Sequence, residues 1–149
     1  MKKVILAALI AVSVATSAFA GVTVSSKITS SFQTEFNDAS NVVWTVGKDF
    51  AKAAFELDGE KLEAFYDLEG ASIGVSKAIG LDKLPKASVR AITKKYPFPP
   101  YALKECIEFI NADGDRKYYV SLVEEGKTKL ILQVSETGSV EMYKKDKIK

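Results

Sequence analysis

The feature that most constrains this chain is a series of short runs in which apolar residues recur at every second position, each run breaking at a glycine, with the whole series occurring twice. Period-two alternation sends neighbouring side chains to opposite faces of a strand, and glycine-bearing turns between such runs join them as antiparallel hairpins. The first series comprises Val42 to Val46, Phe50 to Leu57, the Asp58-Gly59 turn, Lys61 to Leu68, the Glu69-Gly70 turn and a short strand at Ile73 to Val75. The second comprises Leu103 to Ile110, the Asp113-Gly114 turn, Lys117 to Val123, a turn at Gly126, Lys129 to Ser135, a turn at Gly138 and Val140 to Tyr143.

A short amphipathic helix precedes each series. Ile28, Phe32 and Phe36 fall four residues apart and line one helical face over residues 28 to 36. Over residues 85 to 96, Pro85 suits the first turn, Val89, Ile92 and Tyr96 share a face, and Pro97 stops the helix. The two copies superimpose. A shift of 67 lays Ala51, Ala53, Phe55 and Gly59 on Tyr118, Val120, Leu122 and Gly126, and a shift of 68 lays Leu62, Ala64, Tyr66 and Gly70 on Leu130, Leu132, Val134 and Gly138. The fold this predicts is α+β, two tandem helix-plus-four-strand repeats forming one antiparallel sheet with both helices on one face. Repeat 1 runs over about 24–79 and repeat 2 over about 82–143, within a single domain at 21–149.

Residues 1–20 read as a secretory signal peptide: Lys2 and Lys3, an apolar run from Val4 through Val14, and Ala18-Phe19-Ala20 ahead of Gly21. The run is shorter than the roughly 20 residues that span a bilayer, so cleavage after Ala20 and a periplasmic or secreted mature chain with no membrane span are expected. Cleavage removes two of the 21 basic residues and none of the 19 acidic ones, which takes the net charge from +2 to zero. A neutral domain lacks the electrostatic footprint for a phosphate backbone, and the cluster of Lys144, Lys145, Lys147 and Lys149 reads as a frayed tail, so nucleic acid is not an expected partner. Cys106 is the single cysteine, which excludes an intramolecular disulfide; beside Ile107 it reads as a small buried hydrophobe.

The succession Phe36, Asn41-Val42-Val43-Trp44, Phe55-Glu56-Leu57-Asp58-Gly59, Ala64-Phe65-Tyr66-Asp67-Leu68-Glu69-Gly70 and Leu84-Pro85 resembles the periplasmic PepSY-like proteins, which are related in fold to β-lactamase inhibitor protein. The resemblance covers nearly all of residues 24 to 143 and rests on aromatic anchors and turn glycines. It departs from the pattern at Val134-Ser135-Glu136-Thr137-Gly138, where the aromatic-Asp run is missing. The resemblance implies an exported domain whose helices back a curved sheet, with the free sheet face used for binding. A fold does not fix a function, so it does not imply inhibition of a β-lactamase.

Catalytic chemistry has little to work with. Histidine is absent, which removes the commonest general base and zinc ligand and every Ser-His or Cys-His nucleophile. The carboxylate pairs Glu56 with Asp58 and Asp67 with Glu69 sit at strand ends beside glycine, where turn capping accounts for them. Asn111-Ala112-Asp113-Gly114-Asp115 resembles the start of a calcium loop, but Arg116 and Leu122 stand where such a loop needs Gly and a bidentate Glu. No catalytic residue, metal site or cofactor is expected, and the chain reads as a binding module rather than an enzyme. Tyr96-Pro97-Phe98-Pro99-Pro100-Tyr101 reads as a stiff link between helix and strand with its rings packed inward, the alternative being an exposed recognition loop.

If Ala51, Ala53, Phe55, Leu62, Ala64 and Tyr66 face the helices, alternation sends Phe50, Lys52, Phe65, Tyr119 and Ile131 to the other face. Large apolar side chains set among Lys52, Glu63 and Gln133 on an open sheet face make a candidate surface for a protein or peptide, an inhibitor being one form of it. The alternative is a small-ligand carrier or sensor, which needs a closed apolar pocket between helix and sheet. A register slip of one residue would invert the assignment of faces.

Overall fold

A computed structural model describes residues 23–149, and these residues form two α-helices and eight strands, an α+β composition. The expected signal peptide and its cleavage point lie outside the described residues. The chain divides into two compact units, one running up to Lys77 and including Ile110–Gly114, the other made of Ala78–Phe109 and Asp115–Lys149.

The first unit opens with α1 (Ser26–Glu35). Ser25 caps it: the Ile28 N–H donates to Ser25 Oγ at 3.4 Å, meeting one of the donors a helix start leaves unpaired. The strands β1 (Ser40–Val46), β2 (Phe50–Leu57), β3 (Glu60–Asp67) and β4 (Ser72–Ala78) follow in spatial order, and the registers are antiparallel. Ala51 pairs with Tyr66, Ala53 with Ala64 and Phe55 with Leu62, so one pleat face collects these side chains. That face packs against Ile28 and Phe32 of α1, whose apolar spacing of four brings both to the same side. The Phe32 ring meets Phe55 edge-on at 5.0 Å and Trp44 at 5.3 Å, an arrangement that aligns ring edges with ring faces.

The helix is also held at its start. Gly70 has φ +91°, and a Cβ there would come within 3.1 Å of the Lys27 backbone, so only glycine lets this turn approach α1. Ser31 Oγ, on the next turn of the helix, donates to the Gly70 carbonyl at 2.7 Å. Tyr66 closes the other end, its hydroxyl donating to Glu35 Oε2 at 2.9 Å.

The second unit begins with a 3-10 turn at Leu81–Lys83 and then α2 (Lys86–Lys95), with Pro85 at the N-cap position and no side-chain capping bond. The strands are β5 (Tyr101–Asn111), whose last two residues belong to the first unit, β6 (Arg116–Glu124), β7 (Thr128–Ser135) and β8 (Val140–Lys147), again in chain order. Tyr118 pairs with Val134, Val120 with Leu132 and Leu122 with Leu130, and this face packs on Ile92 and Leu84. Gly138 repeats the role of Gly70: at φ +91°, its Cβ would meet Ala87 and Pro85 at 3.3 Å.

Two expectations are corrected. Lys144, Lys145 and Lys147 do not fray; they lie in β8, where Lys144 pairs with Ile131 and bridges Asp146 at 2.8 Å. The proline-rich link is divided rather than packed throughout: Tyr96 and Tyr101 meet edge-on at 5.1 Å against the core, while Phe98 is 82% exposed. Cys106 is buried, and burial pushes its thiol up to about 11, so it is a core side chain without thiolate character.

Burial first, and the bond to Glu35 second, hold the Tyr66 hydroxyl proton well above the usual tyrosine range. A raised folded-state value contributes stability that is fully present below the unfolded value near pH 10 and is lost as pH rises beyond it. Tyr66→Phe is therefore expected to cost about 1–2 kcal/mol at pH 7, the range for a partly buried hydrogen bond to a carboxylate. In urea unfolding the gap between wild type and variant should shrink above about pH 10; a constant gap would contradict the role given to this hydroxyl.

Candidate binding face

Each unit commits one sheet face to its helix, and the opposite face carries the candidate binding residues. In the first unit Lys52 pairs with Phe65 across β2 and β3, and Phe50, two residues along, has its ring 6.1 Å from that of Phe65. In the second, Tyr119 pairs with Gln133 and Ser121 with Ile131 across β6 and β7, which sets Tyr119 and Ile131 diagonally on one face. The alternation assigned from sequence places the five residues on the side away from the helices. It brings Phe50, Lys52 and Phe65 together in one unit and Tyr119 and Ile131 together in the other.

The face is not open. Phe50 is 9% exposed, Lys52 7%, Phe65 1%, and Tyr119 and Ile131 2% each. This corrects the exposure expected of all five. Alternation reports which way a side chain points and carries no information on what lies above it, so a face away from the helices was equated with a face in water. The half-buried residues on the same sides include Ala54 and Glu63, paired with each other in the first unit, and Gln133 and Tyr143 in the second.

Burial makes the polar groups of this face costly, and they are satisfied to different degrees. The Lys52 ammonium lies 3.1 Å from Glu63 Oε2, a pair between a side chain that is 9% exposed and one that is 34% exposed. Such a pair gives the buried ammonium a partner while its stem fills apolar space. The Tyr119 hydroxyl donates to Gln133 Oε1 at 3.2 Å, and its ring meets Tyr143 edge-on at 5.4 Å. Burial first, with Tyr143 adding to it, raises the Tyr119 hydroxyl well above the usual tyrosine range, so it stays a neutral donor at any physiological pH.

Ser121 is the exception. It is 2% exposed, and its Oγ has no hydrogen-bond partner. Sequence reasoning passed over it, although it stands two residues beyond Tyr119 and so on the same face. It passed over Tyr143 as well, which sits at a bulge: Ile131 pairs with Lys144 and Leu132 with Met142, leaving Tyr143 as the extra residue of β8. Among the described residues there is no group of acidic, histidine or cysteine side chains placed to hold a metal, and no helix long and apolar enough to cross a membrane. The Asn111–Asp115 segment forms a turn in which the Asp113 N–H donates to Asn111 Oδ1 at 3.0 Å.

No family model and no curated protein matches the chain. Solved structures do. A DUF2874 family protein from Bacteroides ovatus superimposes with a TM-score of 0.69 at 16% identity, covering 85% of this chain and 89% of the other. A protein from Bacteroides eggerthii, named as a proposed periplasmic protein, gives 0.69 at 12%, covering 85% and 91%. A BLIP-like protein from Bacteroides fragilis gives 0.66 at 15%, covering 85% and 88%. Identities this low establish a shared fold, that of the BLIP-like proteins, in agreement with the fold that the sequence resembles; membership of the PepSY-like family is not established by them.

An unpartnered buried hydroxyl costs about 1–3 kcal/mol, and Ser→Ala at such a site removes the cost without leaving a donor behind. Ser121→Ala should therefore raise the stability of the domain by about 1 kcal/mol, read as a higher midpoint in urea unfolding. A destabilised variant would show that Ser121 has a partner.

Proposed function

We propose that the chain is an exported, non-catalytic binding module that recognises a protein or peptide through the sheet faces opposite its helices. The observation that supports this most is the Ser121 hydroxyl, buried and unpartnered beside Tyr119 and Ile131. A face that serves only as core gains nothing from an orphan donor. A face that meets a peptide gains a hydrogen bond from it. The company it keeps fits the same role: aromatic anchors with polar handles, namely Phe50 and Phe65 around the Lys52–Glu63 pair and Tyr119 bonded to Gln133.

The burial of these rings sets a condition. A partner reaches them from the half-buried rim, at Ala54 and Glu63 or at Gln133 and Tyr143, and takes the place of whatever covers the centre. Export follows from the leader: Lys2, Lys3, the apolar run and Ala18-Phe19-Ala20 direct the chain out of the cytoplasm, and the periplasm or the medium is where the partner would be met. The shared pattern of the two units, with a glycine at φ +91° closing on each helix start, supports reading them as tandem copies of one helix-plus-four-strand design.

Two measurements test the reading. The secreted product should begin at Gly21 on N-terminal sequencing, and an intact N-terminus would remove the case for export. Phe65→Ala and Tyr119→Ala, each checked for folding by circular dichroism, should lose capture of the partner that wild type enriches from an envelope extract. Undiminished capture by both variants would remove these faces from the function. Stabilisation of wild type by a small molecule in a thermal-shift screen, without protein capture, would favour the carrier reading instead.

A further inference from the structure

The neutral total charge hides a division between the units. Among the described residues the first unit carries five basic and ten acidic side chains, a net charge of −5, and the second carries fourteen and nine, a net charge of +5. Much of the excess gathers on α2, whose ten residues hold Lys86, Arg90, Lys94 and Lys95 and no acid. Spaced by four, Lys86, Arg90 and Lys94 form one exposed stripe on the side opposite the buried Ser88 and Ile92. Lys95 is engaged elsewhere, its ammonium 5.6 Å from the centre of the Tyr96 ring.

Helix stability does not account for the stripe. Like charges four apart repel along a helix, and here two such pairs follow one another. Lys86 stands in the first turn, where a cation opposes the helix dipole. Nor does local pairing account for it. Among the described residues no carboxylate lies at ion-pair distance from Lys86, Arg90 or Lys94, and those of the same unit have other partners: Asp82 has Lys83, Glu108 has Arg116 and Glu124 has the Tyr101 hydroxyl. In the first unit Lys27, at the start of α1, lies 3.7 Å from Glu69 of the glycine turn; Thr137 holds the matching place before Gly138.

Strand β8 extends the charge. It lies against α2, and its Lys145 and Lys147 pair with Leu130 and Thr128, so alternation turns both toward the face that packs on the helix, where they are exposed. Lys144 and Asp146, which point the other way, neutralise each other at 2.8 Å.

From this segregation of charge we propose that the outer face of α2, continued by Lys145 and Lys147, docks an acidic protein segment in extended conformation. Four residues of helix rise about 6 Å, and alternate side chains of an extended chain repeat at about 6.6 Å, so carboxylates at every second position meet Lys86, Arg90 and Lys94 in turn. Ala87 and Ala91, exposed beside the stripe, leave room for the incoming backbone. A bilayer matches less well, because this helix face carries no large apolar side chain to enter it. Nucleic acid matches less well too, because a duplex-binding surface engages roughly 6–10 phosphates and this one offers fewer cations.

The chain from Gly21 to Lys149 and a fluorescent peptide of alternating Glu and Thr provide the test. Anisotropy should report binding at about 10 mM salt that weakens about tenfold or more by about 150 mM, as the Debye length falls from roughly 30 to 8 Å. Lys86→Gln, Arg90→Gln and Lys94→Gln combined should weaken low-salt binding about tenfold, whereas Lys104→Gln, Lys117→Gln and Lys129→Gln combined, an equal loss of charge elsewhere in the unit, should change it less than about twofold. Amide shifts of the wild-type chain on adding the peptide should centre on α2, Lys145 and Lys147, a readout that decides the matter if the triple variant fails to fold. No binding at low salt, equal losses in the two triple variants, shifts centred elsewhere, or tighter binding of phosphatidylglycerol vesicles or duplex DNA through the same three residues would overturn the inference. Phe65→Ala and Tyr119→Ala should leave peptide binding unchanged, so failure of this surface and failure of the sheet-face reading are told apart.

Discussion

Everything in each unit depends on one contact, a short helix laid on the sheet with its start pinned by a glycine turn. Ile28 and Phe32 in the first unit, and Ser88 and Ile92 in the second, are the buried helical residues. The sheet below is built to receive them. Gly70 and Gly138 fix where each helix begins, and the C-terminal ends close with Phe36 N–H to Phe32 O and Tyr96 N–H to Ile92 O, both at 2.8 Å. With helix position fixed, strand alternation decides which residues lie beneath it and which fall on the far face. The candidate binding residues are thus placed by a contact in which they take no part.

The two units solve the same packing problem with opposite volumes. In the first, the large helical side chains Ile28 and Phe32 lie over a face that carries Ala51, Ala53 and Ala64 beside the rings of Phe55 and Tyr66. In the second, the helix offers Ser88 and Ile92, and the strands supply Val120, Leu122, Leu130 and Leu132. Interiors are close-packed, so volume removed from one layer has to return in the other. Ser88 is tolerated at full burial because its hydroxyl donates to the Pro85 carbonyl at 2.6 Å.

Much of this architecture was legible in the sequence. The strand Phe50–Leu57 coincides with its apolar run, and both helices fall within two residues of their periodic segments, because period and turn glycine act locally. Legibility failed where the deciding partner is distant. Lys144 and Lys145 looked like a tail since nothing nearby marks them as the partners of Ile131 and Leu130. Phe98 belongs to the same aromatic-proline run as Tyr96 and Tyr101, yet only the tyrosines find the core. The face carrying Phe50, Lys52, Phe65, Tyr119 and Ile131 was assigned to the right side and wrongly to water. Ser121 was invisible because an orphan hydroxyl is defined by what surrounds it rather than by its neighbours in sequence.

The opposed volumes also bear on how the chain avoids confusing its own parts. Two similar halves joined in one polypeptide invite cross-docking during folding, when the helix of one half can settle on the strands of the other. Here such an exchange is penalised in both directions. Phe32 set over Val120 and Leu132 would be overpacked, and Ser88 set over Ala51 and Ala53 would leave a void. The divergence between the halves thus acts as an address, by which each helix is admitted to its own sheet and refused by the other.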